Sequence, residues 1–415
     1  MSSRVVLQSY FPALQEKNFR IYWIGQCVSL IGTWMQNVGQ SWLVLELTGS
    51  AQKLSIISAL QFFPMMLFSA FAGPIIDAFP KKKILLFTQT GLAVLAMLLA
   101  ILTWTKLIQY WMVVILALLL GFVQLIDNPT RHAFVIELSG KEALTNAVAL
   151  NSAAFNLARM AGPAVAGILI EIIGTGSCFF LNSISFVAVI IALLNVTVQT
   201  HASIKKPESL KEIVLQTKDG VIYTLRNKNI LIPLLLLGII SLAIINYNIM
   251  VPTFAKNVLQ RTASGYGFLM TSLGLGSFAA ALSLAVHSKT KPSWFRLYGG
   301  AAGLSIAYIV LSLQHSYTLS IILLAFIGFC TISLSTSTNA ILQLESDNAH
   351  RGRVMSLYML IFGGVTPIGA LYCGTLIEHF GIPTYLQVSG SIGIAASIVA
   401  VILSMVFSKP VCKSN

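Results

Sequence analysis

The stretch Gly73-Pro74-Ile75-Ile76-Asp77-Ala78-Phe79-Pro80-Lys81-Lys82-Lys83 decides the fold of this chain. It places one acid and a cluster of lysines between two long apolar segments, near 54–76 and 84–105. Each segment has about the 20 residues that a helix needs to cross a hydrocarbon core of about 30 Å. We interpret the stretch as a tight cytoplasmic turn between membrane helices; for the charges alone, a solvated charge run is the alternative.

The composition of the whole chain also indicates an integral membrane protein. Hydrophobic residues make up 56% and charged residues 9% of the 415 residues, whereas a soluble domain has about 25% charged residues. The mean hydropathy is +0.83. Strand-like alternation is absent from the apolar segments, so we predict helices as the spanning elements. The twelve predicted spans lie near 20–46, 54–76, 84–105, 110–128, 143–172, 175–196, 230–254, 263–286, 294–314, 318–342, 354–378 and 383–408.

The basic residues indicate how these spans are oriented. Most of the 26 Lys and Arg residues fall on one side of the predicted spans, which the positive-inside rule assigns to the cytoplasm. Those on the other side are Lys53, Lys106, Lys256 and Arg261, and Arg159 falls inside a span. We therefore predict cytoplasmic termini. The net charge of +13 is explained by topology and contact with anionic lipids, without nucleic acid as a partner.

A polar segment divides the chain. Residues 200–229 interrupt the hydrophobic pattern and predict a cytoplasmic linker between two six-helix bundles, 1–199 and 230–415. A faint repeat agrees with this division, because Gly167–Gly174 matches Gly374–Gly381 at an offset of 207 residues. The predicted fold class is thus all-α, with twelve transmembrane helices in two pseudo-symmetric bundles, which is typical of secondary transporters.

Signatures of enzymes are absent from the sequence. It contains no Gly-rich phosphate loop, no H-E-x-x-H motif and no soluble segment large enough to hydrolyse ATP. The five cysteines form no C-x-x-C pair, so neither a disulfide framework nor a metal site is indicated. We expect no enzyme activity and no cofactor, with an ion or substrate gradient as the source of energy.

The charged turn resembles a signature of the major facilitator superfamily, the loop G-x-L-A-D-R-x-G-R-K between helices 2 and 3. The matching positions are Gly73, Asp77, Lys81 and Lys82. The usual Arg and second Gly are replaced by Ala78 and Pro80. The resemblance implies a conformational latch, in which Asp77 accepts hydrogen bonds at the start of helix 11 near Arg353. It also implies an ion pair between Lys81 and Asp127.

Other stretches resemble, more narrowly, the exporter branch that includes enterobactin exporters and macrolide-type efflux proteins. They are Asn18-Phe19-Arg20, Leu47-Thr48-Gly49-Ser50, Asp127-Asn128-Pro129-Thr130-Arg131-His132-Ala133-Phe134, Asn151-Ser152, Ala158–Gly167 and Arg351–Ser356. The element Gly162-Pro163, with Gly167, resembles an antiporter motif and implies outward transport by proton antiport. Considered as residues alone, these three give the helix a bend and a small contact surface, so a packing role is an equal alternative.

Arg159 is the basic residue placed deep in a span. An intramembrane charge is costly and indicates a functional site by default. One interpretation is an anchor for an anionic substrate group. The other is a hydrogen-bond clamp between helices beside the Gly-Pro bend.

Polar residues on several spans predict a substrate cavity. In span 1, Gln26, Ser29, Thr33, Gln36 or Asn37, and Gln40 recur at helical spacing and share one face. The predicted cavity residues are Gln36, Asn37, Gln40, Arg159, Asn246, Asn248, Thr336 and Asn339. Interhelical hydrogen bonding explains any one of them equally well.

Carboxylates are scarce in the spans. Glu46 and Asp127 are the candidates for proton coupling, although both are expected near span ends, where solvation at the interface is the alternative role. With no carboxylate near the bilayer centre, the cavity is expected to accept anionic or neutral amphiphiles, such as a siderophore-like product or a drug, better than permanent cations.

These predictions combine into one functional hypothesis with two alternatives. The hypothesis is a monomeric, multi-pass exporter in the bacterial cytoplasmic membrane, with a small-molecule substrate and membrane lipids as its partners. The alternatives are a transporter resembling lysophospholipid flippases and a non-transporting membrane receptor or scaffold, because a fold alone does not fix function.

Overall fold

The structure is a computed structural model that describes residues 11–197, 210–286, 294–348 and 350–407. In these residues the regular elements are all helices, beginning with a 3-10 helix, Pro12–Gln15. The α-helices are α1 Lys17–Thr48, α2 Ala51–Ala78, α3 Lys81–Trp104, α4 Tyr110–Ile173, α5 Gly176–Asn195, α6 Leu210–Arg226, α7 Lys228–Ala243, α8 Tyr247–Asn257, α9 Ala263–Val286, α10 Trp294–Ser312, α11 Tyr317–Glu345, α12 Arg351–Phe362 and α13 Thr366–Phe407.

Ten helical segments in the described part of the chain are long and apolar enough to cross a membrane. The prediction of an all-helical membrane protein is therefore confirmed. Two differences from the predicted spans are visible. The first helix, α1, is not among the ten, since Gln26, Gln36, Asn37 and Gln40 lower its hydropathy. The last two predicted spans form one continuous segment, Arg351–Val406.

The helix α4 is much longer than the two spans predicted from its sequence. It runs through a kink at Gly140, which has φ 68° and ψ 175°, and its first part is Tyr110–Gly140. Those 31 residues extend about 46 Å, more than a hydrocarbon core. The predicted end at 128 was wrong because the polar residues 127–132 interrupt the hydrophobic pattern, yet the helix continues through them to Gly140.

The repeat predicted from the sequence has a counterpart in the backbone. Gly174 ends α4 with φ 84° and ψ 166°, and Gly381 interrupts α13 with φ 80° and ψ 164°. Both conformations belong to a region of backbone space that is essentially restricted to glycine. The last glycine of each repeat copy therefore makes the same turn.

The chain forms two compact units. The first consists of Met1–Pro207 and Gln260–Thr271, and the second of Glu208–Leu259 and Ser272–Asn415. The first part of α9 thus packs in the first unit.

One apolar core of the first unit joins α1, α3, α4 and α5. Phe19, Tyr22, Leu85, Phe134 and Leu193 are nearly or completely buried in it. The Tyr22 and Phe134 rings meet edge to face, with centroids 5.2 Å apart, a favoured aromatic geometry. This core holds the helices that carry the charged residues discussed below.

The second unit contains a broken helix at membrane depth. The helix α7 ends at Ala243 and α8 begins at Tyr247, which frees backbone carbonyls that lipid cannot satisfy. Two buried tyrosines from α10 and α13 satisfy them: Tyr308 Oη donates to Ile244 O at 2.5 Å and Tyr385 Oη to Ala243 O at 2.9 Å. The break is therefore built into the core of the unit.

Candidate functional site

Arg159 lies on α4 beside aromatic and amide groups. It is half-buried, and its Nη2 donates to Asn156 Oδ1 at 2.8 Å. One turn away, Phe155 meets Trp34 of α1 edge to face, with centroids 5.8 Å apart. The guanidinium is thus held by a neighbouring amide, and residues four apart on a helix share a face, so Phe155 lies on the same side of α4 as Arg159.

The Gly-Pro element packs against two other helices. A Cβ on Gly162 would lie 2.6 Å from Trp34 Cβ, so α1 approaches α4 closely there. A Cβ on Gly167 would lie 2.7 Å from Ala263 O, and one on Gly267 would clash with Pro163 O. Only glycine allows this approach between α4 and the start of α9, since the atoms in the way belong to the backbone.

Hydrogen bonds extend this crossing of α4 and α9 in both directions. Thr271 Oγ1 donates to Met160 O at 2.9 Å, and Thr262 Oγ1 donates to Glu171 Oε2 at 3.2 Å. In the first unit, the motif that the sequence singled out is therefore a packing seam over three turns of α4.

Most side chains of the polar face predicted for α1 are buried inside the first unit. Gln36 is 6% exposed, and its Oε1 accepts from Asn182 Nδ2 of α5 at 2.6 Å. Gln40 is buried as well, while Asn37 is half-buried. The structure places Gln36 in a helix-to-helix hydrogen bond, the alternative that the sequence left open, and leaves Asn37 as the more accessible of the three.

The polar residues predicted in the second unit also separate into two groups. Asn246 is buried at the helix break, and its Nδ2 donates to Leu242 O at 2.9 Å. Asn248 and Asn339 are half-buried, and Thr336 is exposed. These last three are the predicted cavity residues of this unit that have exposed surface.

The residues of the charged turn make different ion pairs from those expected. Lys81 Nζ lies 3.5 Å from Glu137 Oε2, whereas Asp127 pairs with Arg131. The expected pair between Lys81 and Asp127 is therefore not formed. Glu137 lies ten residues beyond Asp127 on α4, about 15 Å along the helix axis, and it is this later position that faces the start of α3.

Other members of the expected latch have local roles or are not described. Lys82 Nζ donates to Val196 O at 2.7 Å and so holds the end of α5. Gly73 has open space where a Cβ would lie. The side chain of Asp77 lies outside the described residues, so the latch between Asp77 and Arg353 stays a prediction.

Asp127 is fully buried, not solvated at an interface as the sequence suggested. Its exposure is 0%, and its Oδ1 accepts from Thr88 Oγ1 at 2.6 Å and from Gln89 Nε2 at 2.7 Å. Arg131 Nε donates to the other carboxylate oxygen. The carboxylate of Asp127 thus has an ion-pair partner and two further donors within the protein, which favours a structural role.

Glu46, the other candidate for proton coupling, accepts hydrogen bonds from one aromatic side chain and one hydroxyl group. Its Oε1 accepts from Trp42 Nε1 at 2.7 Å, and its Oε2 accepts from Thr175 Oγ1 at 3.3 Å. The Trp42 ring stacks on Tyr266 of α9, with centroids 6.0 Å apart. Glu46 is exposed, whereas Asp127 is buried.

Arg353 binds a residue of the linker helix α6. Its Nη1 pairs with Asp219 Oδ2, and His350 Nε2 lies 3.6 Å from the same oxygen. The sequence analysis missed this partner because Asp219 lay in a run of charges that predicts a solvated segment, and the 17 residues of α6 have no strong apolar run.

The fold and these side chains define a class of protein. An all-helical membrane protein, with amide, hydroxyl and arginine groups half-buried on its spanning helices, is built to bind small molecules at membrane depth. The chain belongs to the transmembrane secretion effector family of the major facilitator superfamily, whose model matches residues 8–414. It is a transporter rather than an enzyme.

Named relatives agree with this family. The chain is 26% identical over 371 residues to the staphyloferrin A transporter of Staphylococcus aureus, covering 87% of this chain and 89% of the relative. It is 23% identical over 389 residues to macrolide efflux protein A of Streptococcus pyogenes, covering 92% and 94%. The multidrug efflux pump Tap of Mycolicibacterium fortuitum is 24% identical over 357 residues, covering 84% and 86%.

Solved structures share the fold. The nucleoside transporter NupG has a TM-score of 0.72 at 12% identity, covering 95% of this chain and 100% of the other. A bacterial homologue of the iron transporter ferroportin, in an inward-facing state, has a TM-score of 0.71 at 15% identity, covering 95% and 99%. At these identities the likeness concerns the fold alone.

Proposed function

We propose that this chain exports a small amphiphilic compound, anionic or neutral, from the bacterial cytoplasm by secondary active transport. The observation that carries the proposal is the setting of Arg159, a half-buried cation held by Asn156 beside the pair of Trp34 and Phe155. A fixed cation favours an acidic group, and the aromatic pair favours an apolar body. The siderophore and drug transporters among the relatives support this class of substrate.

The proposed topology has twelve spans and cytoplasmic termini. Ten spans come from the membrane-length segments. Counting α1, Lys17–Thr48, adds one, and dividing Arg351–Val406 at Gly381 adds another. On this basis we propose two six-helix bundles, 1–199 and 230–415, joined by a linker. The proposed transport mechanism is alternating access, in which one bundle moves against the other.

Proton antiport is the proposed coupling, and Glu46 is the better candidate for it. Asp127 is enclosed by Arg131, Thr88 and Gln89, whereas Glu46 is exposed and, among the described residues, accepts hydrogen bonds from two neutral donors. Replacing Glu46 with Gln should abolish uptake of protons linked to export, while Asp127→Asn should act through stability.

Arg159→Gln tests the proposed substrate class. In proteoliposomes, export of an anionic amphiphile should fall about tenfold or more, because one charge-assisted hydrogen bond contributes about 1.5–3 kcal/mol. Export of a neutral analogue should change little. Arg159→Lys keeps the charge and serves as the matched control, so it should retain a large part of the anion transport.

Two results would change the proposal. Equal losses for the anionic and neutral compounds would make Arg159 a clamp between helices and remove the basis for an anionic substrate. Movement of lysophospholipid between leaflets, without export of soluble amphiphiles, would favour the flippase alternative. A receptor or scaffold would show neither activity.

A further inference from the structure

The linker helix α6 packs onto the second unit with one of its faces. Asp219 pairs with Arg353, and the Tyr223 ring stacks on His350, with centroids 4.2 Å apart and planes within 2° of parallel. A Cβ on Gly220 would lie 2.8 Å from Arg353 Cβ. Tyr223 Oη also accepts from the Asp347 backbone nitrogen at 3.1 Å. This face of α6 is therefore fixed to the turn before α12 and to its first residues.

In the part of α6 whose side chains the structure describes, the opposite face is apolar and partly exposed. Val221, Ile222 and Leu225 are 37%, 38% and 54% exposed. At 3.6 residues per turn, they lie about 100–200° around the helix from Gly220, and Thr224, which is near Gly220 in this projection, is 4% exposed. Apolar side chains grouped on one exposed face are typical of a surface that meets lipid or protein.

Basic residues accompany the apolar stripe. Lys218, Arg226 and Lys228 are all exposed, and Lys218 projects within the stripe itself. The carboxylate of Asp219, which lies near Arg226 in this projection, pairs with Arg353. The described outer surface of α6 therefore combines apolar side chains with the exposed cations Lys218 and Arg226, a composition typical of helices that lie in the headgroup region of anionic membranes.

The position of α6 in the chain places it at the level of the membrane surface. Only Asn227 separates its last residue, Arg226, from α7, which opens the membrane-length segment Lys228–Asn257. Its packing partner Arg353 lies at the opening of the segment Arg351–Val406. The helix is thus held beside the ends of two spans, where a bilayer has its headgroups.

We propose that the outer face of α6, formed by Lys218, Val221, Ile222, Leu225 and Arg226, binds the anionic phospholipid surface of the cytoplasmic leaflet. The proposal rests on the topology proposed above, and it is independent of which substrate is exported. Lipid is favoured over a protein partner because the stripe is narrow, basic and continuous with two membrane spans.

The test measures the depth of a nitroxide label at Leu225→Cys. The full chain, with Cys27, Cys178, Cys330, Cys373 and Cys412 replaced by Ala, is placed in nanodiscs of phosphatidylcholine with or without phosphatidylglycerol. We expect the label to collide mainly with oxygen, and little with an aqueous nickel complex, when phosphatidylglycerol is present. A label at Asn348→Cys, in the exposed turn before α12, is the matched aqueous control and should meet nickel in both lipids.

A charge variant tests the role of the basic residues. Lys218→Gln with Arg226→Gln should shift the ratio of immersed to water-exposed Leu225→Cys label towards water by up to about thirtyfold in phosphatidylglycerol discs. A label that meets nickel equally in all discs would overturn lipid binding, and a label protected from both reagents would mean that protein covers the stripe. Equal depth in both lipids would overturn the preference for anionic headgroups. Since transport by Arg159 variants is measured separately, failure of one proposal is distinguishable from failure of the other.

Discussion

At the residue scale, charged residues were found from sequence more reliably than their partners. Arg159 and Asp127 stand out because charges are rare in membrane spans. Their partners do not, because Asn156 is an ordinary amide one turn away and Arg131 belongs to a polar run that the sequence assigned to the cytoplasm. The hydrogen bond from Asn182 to Gln36 joins residues 146 positions apart, and no local pattern indicates it.

Asp127→Asn should destabilise the protein by about 3–5 kcal/mol, because it leaves the Arg131 charge buried without its counter-ion. The measurement is unfolding by SDS in mixed micelles. Glu137→Gln, a change of the same kind on the same helix, is the control. Its pair with Lys81 is about one quarter exposed, so it should cost about 0–1 kcal/mol. If the two variants unfold alike, Asp127 is not the structural anion described here.

At the element scale, helix type and approximate position followed from hydropathy, while breaks and crossings did not. The break between α7 and α8 falls within an apolar run, and the tyrosines that satisfy it, Tyr308 and Tyr385, are far away in sequence. The crossing at Gly167 was anticipated as a small surface. The helix that packs against Gly167, the start of α9, could be identified only from the structure.

Gly167→Ala should slow export and lower stability, because the new Cβ would lie 2.7 Å from the backbone oxygen of Ala263 and would push α4 and α9 apart. Overpacking of this kind costs about 1–3 kcal/mol. Export rate and SDS unfolding are measured on the same preparation. Gly299→Ala is the control, since open space surrounds that position on α10.

Helix propensity predicts the direction in which the stability of the control variant changes. Ala is favoured over Gly by about 1 kcal/mol in a helix interior, so Gly299→Ala should be neutral or slightly stabilising. A Gly167→Ala protein that behaves like Gly299→Ala would show that the seam between α4 and α9 tolerates a side chain, and the interpretation of the crossing would then be wrong.

At the scale of the whole molecule, class, helical fold and family could be predicted from sequence, since composition, span length and motifs are distributed over the entire chain. The assignment of residues to the two compact units could not be predicted from sequence. The sequence puts all of residues 230–415 in one body, whereas Gln260–Thr271 pack in the first unit, because glycines on α4 and α9 allow a contact that hydropathy does not report.

Cysteine labelling tests the proposed topology of the whole chain. In a cysteine-free background, His315→Cys should react with a membrane-impermeant maleimide added to intact cells, because the loop after α10 is proposed to face outward. Asn348→Cys should react only after permeabilisation. Both positions are exposed, so the difference reports sidedness. The reverse pattern would invert the topology and remove α6 from the cytoplasmic leaflet.

The matching turns at Gly174 and Gly381 bear on the origin of the sequence repeat. Their φ values of 84° and 80° and ψ values of 166° and 164° are nearly the same, and the residues are 207 positions apart in matching octapeptides. Gly140 has a similar conformation outside the repeat, so the informative observation is that Gly174 and Gly381 occupy the same position in matching octapeptides. We expect the two octapeptides to descend from one duplicated segment whose turn persisted while other residues diverged.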